Sequence, residues 1–229
     1  MPTFLHIDTA LENATVALSK GTTTLAIAQN KTPNTHAEFV QPAIESLLTE
    51  TALTWEQIAA IVVTLGPGSY TGLRVGLASA KGIAYAINKP LIGLSTLALL
   101  HKKATNEIAQ EDLNCRIFSM IDARRMEVFG AVYDQAGKPI IAEQAIVLDT
   151  AYMEHLLAEK SPLYCIGSGV AKTQSMMQAP NLHFMSSSYG IRESIELASI
   201  KFEAAQFEDL AYTTPTYIKE FYIATSNKI

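Results

Sequence analysis

The run Ile61-Val62-Val63-Thr64-Leu65-Gly66-Pro67-Gly68-Ser69-Tyr70-Thr71-Gly72-Leu73-Arg74-Val75-Gly76, continued by Leu77-Ala78-Ser79-Ala80-Lys81-Gly82, carries the reading of the fold. Ile61 to Thr64 is a short β-branched stretch that reads as a buried strand. Gly66, Pro67 and Gly68 force a turn, and a helix crowded with small residues follows. A strand, a glycine-rich turn and a helix N-terminus leave several backbone N–H groups unpaired and pointing one way. Such a turn serves either an anion or the close approach of another backbone.

The familiar phosphate loops do not match. A Walker A loop places a lysine after its last glycine, and none follows Gly66 or Gly68 in either register. A dinucleotide fingerprint needs G-x-G-x-x-G, and the third glycine here comes one residue late, at Gly72. In the helix, Gly72, Gly76, Ala80 and Ala84 fall on one line at i, i+4 spacing, and Ala78, Gly82 and Ala86 on a second. Interior glycine costs about 1 kcal/mol relative to alanine, so close packing must compensate. One row can rest on the domain's own sheet and the other on a second neighbour, within the chain or from a partner. The pattern does not say which row does which, and a helix buried wholly in its own fold would read the same way.

Composition bounds the function. A chain of 229 residues with 48% hydrophobic and 17% charged side chains can bury one large or two ordinary cores. Residues 1–100 hold 5 basic and 6 acidic side chains and residues 101–229 hold 12 and 16, so neither half has the basic excess of a stand-alone nucleic-acid binder. Cys115 and Cys165 stand alone in apolar surroundings, as reduced thiols of a cytoplasmic protein would. The N-terminus lacks a signal-peptide pattern and no 18-residue apolar run is present, so a soluble cytoplasmic protein is expected.

The first third reads as three strands (Phe4–Thr9, Ala14–Leu18, Thr24–Ala28), then an amphipathic helix from about Thr35 to Thr51 containing Pro42. The quoted strand and helix come next, then a strand at Leu91–Leu94 with Ser95 or Thr96 capping another helix. After about residue 105 the pattern restarts. Arg116–Asp122 is a strand ending on aspartate, as Phe4–Asp8 does. Strands at Met126–Tyr133, Ile140–Leu148 and Leu163–Gly167 follow. Two halves that each open with a meander suggest a duplicated α/β architecture.

Phe4-Leu5-His6-Ile7-Asp8-Thr9-Ala10, the Gly66–Gly76 run, Ile121-Asp122-Ala123-Arg124 and Pro215-Thr216-Tyr217 together resemble the TsaB family. The resemblance spans nearly the whole chain and is strongest in residues 1–100. It implies an actin/hexokinase-like α/β fold of two related domains, 1–104 and 105–229, each a mixed sheet with flanking helices. Whether the final segment packs back is left open. It further implies a non-catalytic dimerisation and activating subunit. That subunit pairs with TsaD to transfer threonylcarbamoyl to N6 of adenosine 37 in tRNAs reading ANN codons. TsaE is then a further component, the isolated chain forms a homodimer, tRNA is reached only through the complex, and no membrane is involved.

The resemblance assigns the partner interface to the two first-domain helices, with His36, Phe39, Val40, Ala43, Leu47, Gly72, Leu73, Gly76 and Ala80 as candidates. It assigns a vestigial nucleotide pocket to Asp8, Thr9, Gly66, Gly68, Asp122, Gly167 and Gly169. Asn13 and Ser168 lie beside these, and Asp122 is expected to pair with Arg124 or Arg125. No cofactor of its own is implied, with ATP or ADP at the partner interface left open. The catalytic TsaD relatives carry a His-x-x-x-His metal pair whose positions fall here on Thr96 and Leu100. His101 is turned about 100° around the helix from the required face. No bound metal is expected, and His6, His36, His155 and His183 are expected at the surface or as caps.

Two enzyme readings compete. A small-molecule kinase or ATPase of the same superfamily would use Asp8 and Asp122 to hold Mg²⁺ against phosphates. A peptidase would need a histidine partner for Ser69 or Ser95, and the sequence offers no convincing one for either.

Overall fold

The computed structural model describes residues 1–32, 35–108, 114–186 and 188–218. The first sheet is built from β1 (Thr3–Asp8), β2 (Ala14–Lys20), β3 (Thr23–Asn30), β4 (Ala60–Gly66) and β5 (Leu91–Ser95), in the order β3-β2-β1-β4-β5. β1, β2 and β3 form an antiparallel meander, and β4 and β5 join β1 in parallel. The second sheet repeats this with β6 (Arg116–Asp122), β7 (Glu127–Asp134), β8 (Pro139–Val147), β9 (Leu163–Ile166) and β10 (Leu182–Met185), in the order β8-β7-β6-β9-β10. β6 takes the place of β1, so the restart of the pattern after residue 105 is a structural repeat.

The helices fill the layers that these sheets require. β1 and β4 are nearly continuous apolar runs because both faces of the sheet are covered. On one face Leu5, Ile7, Ile61 and Val63 pack under α1 (His36–Thr51) and α2 (Tyr70–Ala86). On the other, Phe4, Val62, Ile92 and Leu94 pack against α3 (Thr96–Glu107) and α6 (Ile191–Glu203). The second domain adds α4 (Thr150–Leu157) and α5 (Val170–Met176). Its Phe118, Met120 and Cys165 pack with Met153 and Leu156 of α4 and Val170 of α5. The opposite face, through Ile117, Ile121 and Ile166, meets Leu97, Leu100 and Ala104 of α3, so α3 lies between the two sheets.

Ser95 caps α3, accepting from the Leu97 and Ala98 N–H groups. The same hydroxyl donates to Glu143 of β8, which also accepts from Tyr133, tying the first domain to the second. His101 on α3 adds a bond between its Nε2 and Asp134 O at 3.0 Å. Beyond α6 the chain runs back along the first domain, where Glu208 N donates to Leu91 O at the free edge of β5.

Candidate functional site

The glycine-rich turn is used for backbone approach. A Cβ on Gly68 would stand 2.2 Å from Ala10 O, one on Gly72 2.1 Å from Thr9 O, and one on Gly76 2.2 Å from Thr9 Oγ1. The segment after β1 therefore lies directly on the turn and on the first two turns of α2. Ser69 N donates to Ala10 O at 2.7 Å, and Thr9 Oγ1 donates to Gly72 O at 2.7 Å. Part of the donor set that an anion would need is already engaged, and Thr9 is 0% exposed. The second domain repeats the device. Gly167, at φ +108°, would place a Cβ 2.1 Å from Met120 O, and Gly169 packs on Met120 and Val128.

The two small-residue rows of α2 are thereby told apart. Gly72, Gly76, Ala80 and Ala84 are buried within the chain's own domain. Ala78, Gly82 and Ala86 are exposed, and nothing lies within 4 Å of a Cβ built on Gly82. The interface candidates lie on the inner side of the two helices. His36, Val40, Ala43, Leu47, Gly72, Leu73, Gly76 and Ala80 are all buried within the first domain, and Phe39 is half-buried against the same core. Interface and core make the same demand on a helix, namely small or apolar residues at i, i+4, so the pattern alone does not separate them.

Between the domains lies an open cleft of about 1270 Å³. Asp8, Asn13, Gly68 and Asp122 of the expected pocket line it, together with His6, His36, Tyr70, Arg124, Tyr189, Ser194 and Tyr217. Gly167 lines a smaller neighbouring cavity with Ser168. Thr9, Gly66 and Gly169 line neither, because they are packed into the chain's own framework.

Electrostatics separates the paired aspartates. Burial pushes the Asp8 carboxyl above the usual carboxylate range, although it accepts from Ala10 N at 2.9 Å. The Tyr189 hydroxyl is buried beside Asp8 and Thr96, and burial together with the Asp8 carboxyl pushes it well above its ordinary value. Asp122 is held below its ordinary value, chiefly by Lys172 Nζ at 2.9 Å. The expected Arg124 or Arg125 ion pair is thus replaced by one to Lys172, and the Arg124 N–H donates to Asp122 Oδ1 instead. Both arginines take positive φ in the β6–β7 turn, at 58° and 49°.

Two histidines also differ from expectation. His6 is 3% exposed between Ser194 Oγ and Ser19 Oγ, each 2.9 Å from a ring nitrogen, and burial lowers its pKa to about 3. His36 is buried against Leu11 O. Nothing in the sequence pairs residue 6 with residue 194. Thr96 and Leu100 are buried, and among the described residues no group of three or more His, Cys, Asp or Glu could hold a metal ion. Ser69 and Ser95 are both helix caps.

The model of the family described as "TsaD: tRNA N6-adenosine threonylcarbamoyltransferase" matches residues 27–227. The chain belongs to this family. Among curated proteins it is 29% identical over 179 residues to the tRNA threonylcarbamoyladenosine biosynthesis protein TsaB of Bacillus subtilis, covering 77% of this chain and 75% of that one. To TsaB of Escherichia coli it is 34% identical over 131 residues, covering 57% of this chain and 54% of that one. YeaZ from Pseudomonas aeruginosa superposes with a TM-score of 0.75 at 26% identity, over 95% of this chain and all of that structure. These matches bear out the resemblance to the TsaB/YeaZ proteins. ROK hexokinase from Thermus thermophilus, at 11% identity and a TM-score of 0.51 over 88% of this chain and 99% of that one, shares the two-domain actin/hexokinase-like fold alone.

Proposed function

We propose that the chain is a non-catalytic dimerisation and activating subunit in tRNA threonylcarbamoyladenosine biosynthesis. In this reading it pairs with a TsaD-type paralogue that transfers threonylcarbamoyl to N6 of adenosine 37 in tRNAs reading ANN codons. The observation that carries it is the division of α2. Its inner small-residue row packs within the domain, with Thr9 against Gly72 and Gly76, while Ala78, Gly82 and Ala86 form a bare outer row along which a partner helix can approach closely. The names of the TsaB relatives support the pathway. The buried Thr96 and Leu100, at the positions of the catalytic histidine pair, support a subunit without its own metal chemistry.

The same outer row would serve a homodimer in isolation, and the C2 pairing would give way to the paralogue when it is present. TsaE joins as a further component, and tRNA is met only through the complex. Any ATP or ADP sits at the partner interface rather than in the glycine turn, where Thr9 and Ala10 pack and part of the donor set is engaged. No helix among the described residues is long and apolar enough to cross a membrane, in keeping with work on tRNA in the cytoplasm.

Co-purification with the TsaD-type paralogue tests the reading, with Gly82→Leu as the informative variant. That change should leave the melting temperature no lower than the parent's, because the site is open to solvent and leucine is the better helix former, and it should abolish co-purification. Unchanged association, or appreciable ATP turnover by the purified chain alone with Mg²⁺, would favour the small-molecule kinase or ATPase reading instead.

A further inference from the structure

We propose that residues 204–218 form a regulatory strap that opens independently of the two domains, tethered by Lys81 from the outer face of α2. The segment leaves the end of α6, crosses the free edge of β5 and reaches the N-terminus of α2. Not one of its residues is buried. Leu210, Pro215 and Ile218 are its half-buried apolar residues and the Phe207 ring lies 5.8 Å from that of Phe202, whereas α6 just before it contributes Ile195 and Ala198 to the core. Opening free energy follows the apolar surface that a segment buries. A segment with so little opens well before the sheet beneath it.

What closes the strap is a short series of polar bonds. Glu208 N donates to Leu91 O at 2.8 Å, and Thr216 N donates to Leu65 O at 2.8 Å. Between them Lys81 Nζ donates to Ala211 O at 3.2 Å and Thr213 O at 3.0 Å. The loop offered to Lys81 is already shaped, since Asp209 Oδ1 accepts from the N–H groups of Ala211 and Tyr212. The Tyr217 ring then lies 5.3 Å from that of Tyr70, at the start of α2.

Opening has two consequences. It frees Leu91 O on the edge of β5, which an extended chain could then pair with. It also removes Thr216, Tyr217 and Ile218 from the wall of the interdomain cleft, beside the glycine turn. Lys81 lies next to Gly82 and one turn from Ala78 and Tyr85, so the tether starts on the face left bare on α2. Access to the cleft and the state of that face are thereby joined by one side chain. The inference concerns the free chain and does not depend on the proposed partner.

Native-state hydrogen exchange on the full chain tests it. The Glu208 and Thr216 amides should exchange at least about a hundredfold faster than the amides shared by β1 and β4, because their opening does not require unfolding of the sheet. Lys81→Met should speed exchange at both by about tenfold with an unchanged melting temperature, since it removes the charged tether and no packing. Chymotryptic cleavage at Tyr212, 84% exposed, should accelerate in parallel. If the two amides exchange together with the sheet, the strap is part of the global unit and the proposal fails. If they exchange fast but Lys81→Met changes neither them nor the cleavage rate, the tether is wrongly assigned.

Discussion

Replacing Gly76 and Gly82 of α2 with alanine should move stability in opposite directions. In a helix interior alanine is favoured over glycine by about 1 kcal/mol. At Gly82 nothing lies within 4 Å of the new Cβ, so that gain is expected in full. At Gly76 the Cβ would stand 2.2 Å from Thr9 Oγ1. Thr9 is 0% exposed and donates to Gly72 O, so the overlap is relieved only by shifting the end of β1 or turning the hydroxyl away. Overpacking of this kind costs about 1–3 kcal/mol, and leaving the buried hydroxyl unpaired about 1–3 kcal/mol more. Against the helix gain, the net is a loss of about 1–5 kcal/mol. Since 1 kcal/mol moves the midpoint of a chain this size by about 2–4 °C, Gly82→Ala should melt a few degrees higher and Gly76→Ala several degrees lower. Circular-dichroism melts of both proteins read the effect. Adding Thr9→Ala to Gly76→Ala should recover part of the loss, because Thr9 Cβ itself is at an ordinary 3.5 Å. A Gly76→Ala protein as stable as the parent, or a Gly82→Ala protein less stable than it, would refute the assignment of the two rows.

Other outcomes follow from the site. His6 stays neutral in the fold, with a pKa lowered from 6.5 to about 3. The unfolded chain therefore binds the extra proton first, and His6 makes stability fall as pH drops from about 6.5 towards 3. At 1.36 kcal/mol per unit the loss reaches at most about 5 kcal/mol, and His6→Gln should flatten that limb of a urea-melt pH series. Asp8 acts in the opposite sense, because its raised pKa favours the fold at low pH and that contribution is lost as pH rises. Asp8→Asn should accordingly hold or raise the melting temperature at pH 8 and leave ATP turnover at background. A robust ATPase abolished by Asp8→Asn would point to a working phosphate site. Elemental analysis of the purified chain should find less than one transition-metal ion per molecule, and dialysis against a chelator should leave the melt unchanged.

Much of the fold was legible because its signals are local. The strands and helices of the first domain lie within a few residues of their expected limits, and Pro42 sits inside α1 as read. β-branched runs, turn glycines and the Ser95 cap act over a handful of neighbours, so sequence order carries them directly. The candidate site was less legible. The His6–Ser194 and Lys172–Asp122 contacts join residues far apart in the chain, and no local pattern selects such partners. The contacts by which the final segment packs back were invisible for the same reason, since Leu91 and Leu65 meet it through backbone atoms that every residue type carries.

From its letters alone the chain determined a duplicated α/β architecture, a glycine turn too short of lysine and spacing for a Walker or dinucleotide loop, and a helix with two bare rows. The resemblance carried by the Gly66–Gly76 run supplied the family. Tertiary structure decided what those glycines are for. A missing Cβ is the same letter whether the space belongs to a phosphate, a partner helix or the chain's own Thr9 and Ala10. Only the path of β1 over the turn, with Thr9 O 2.1 Å from the place where a Cβ of Gly72 would stand, distinguishes them. Which row of α2 faces outward has the same origin. Helical periodicity sets the angle between two faces, and the sheet against which one of them packs sets the direction.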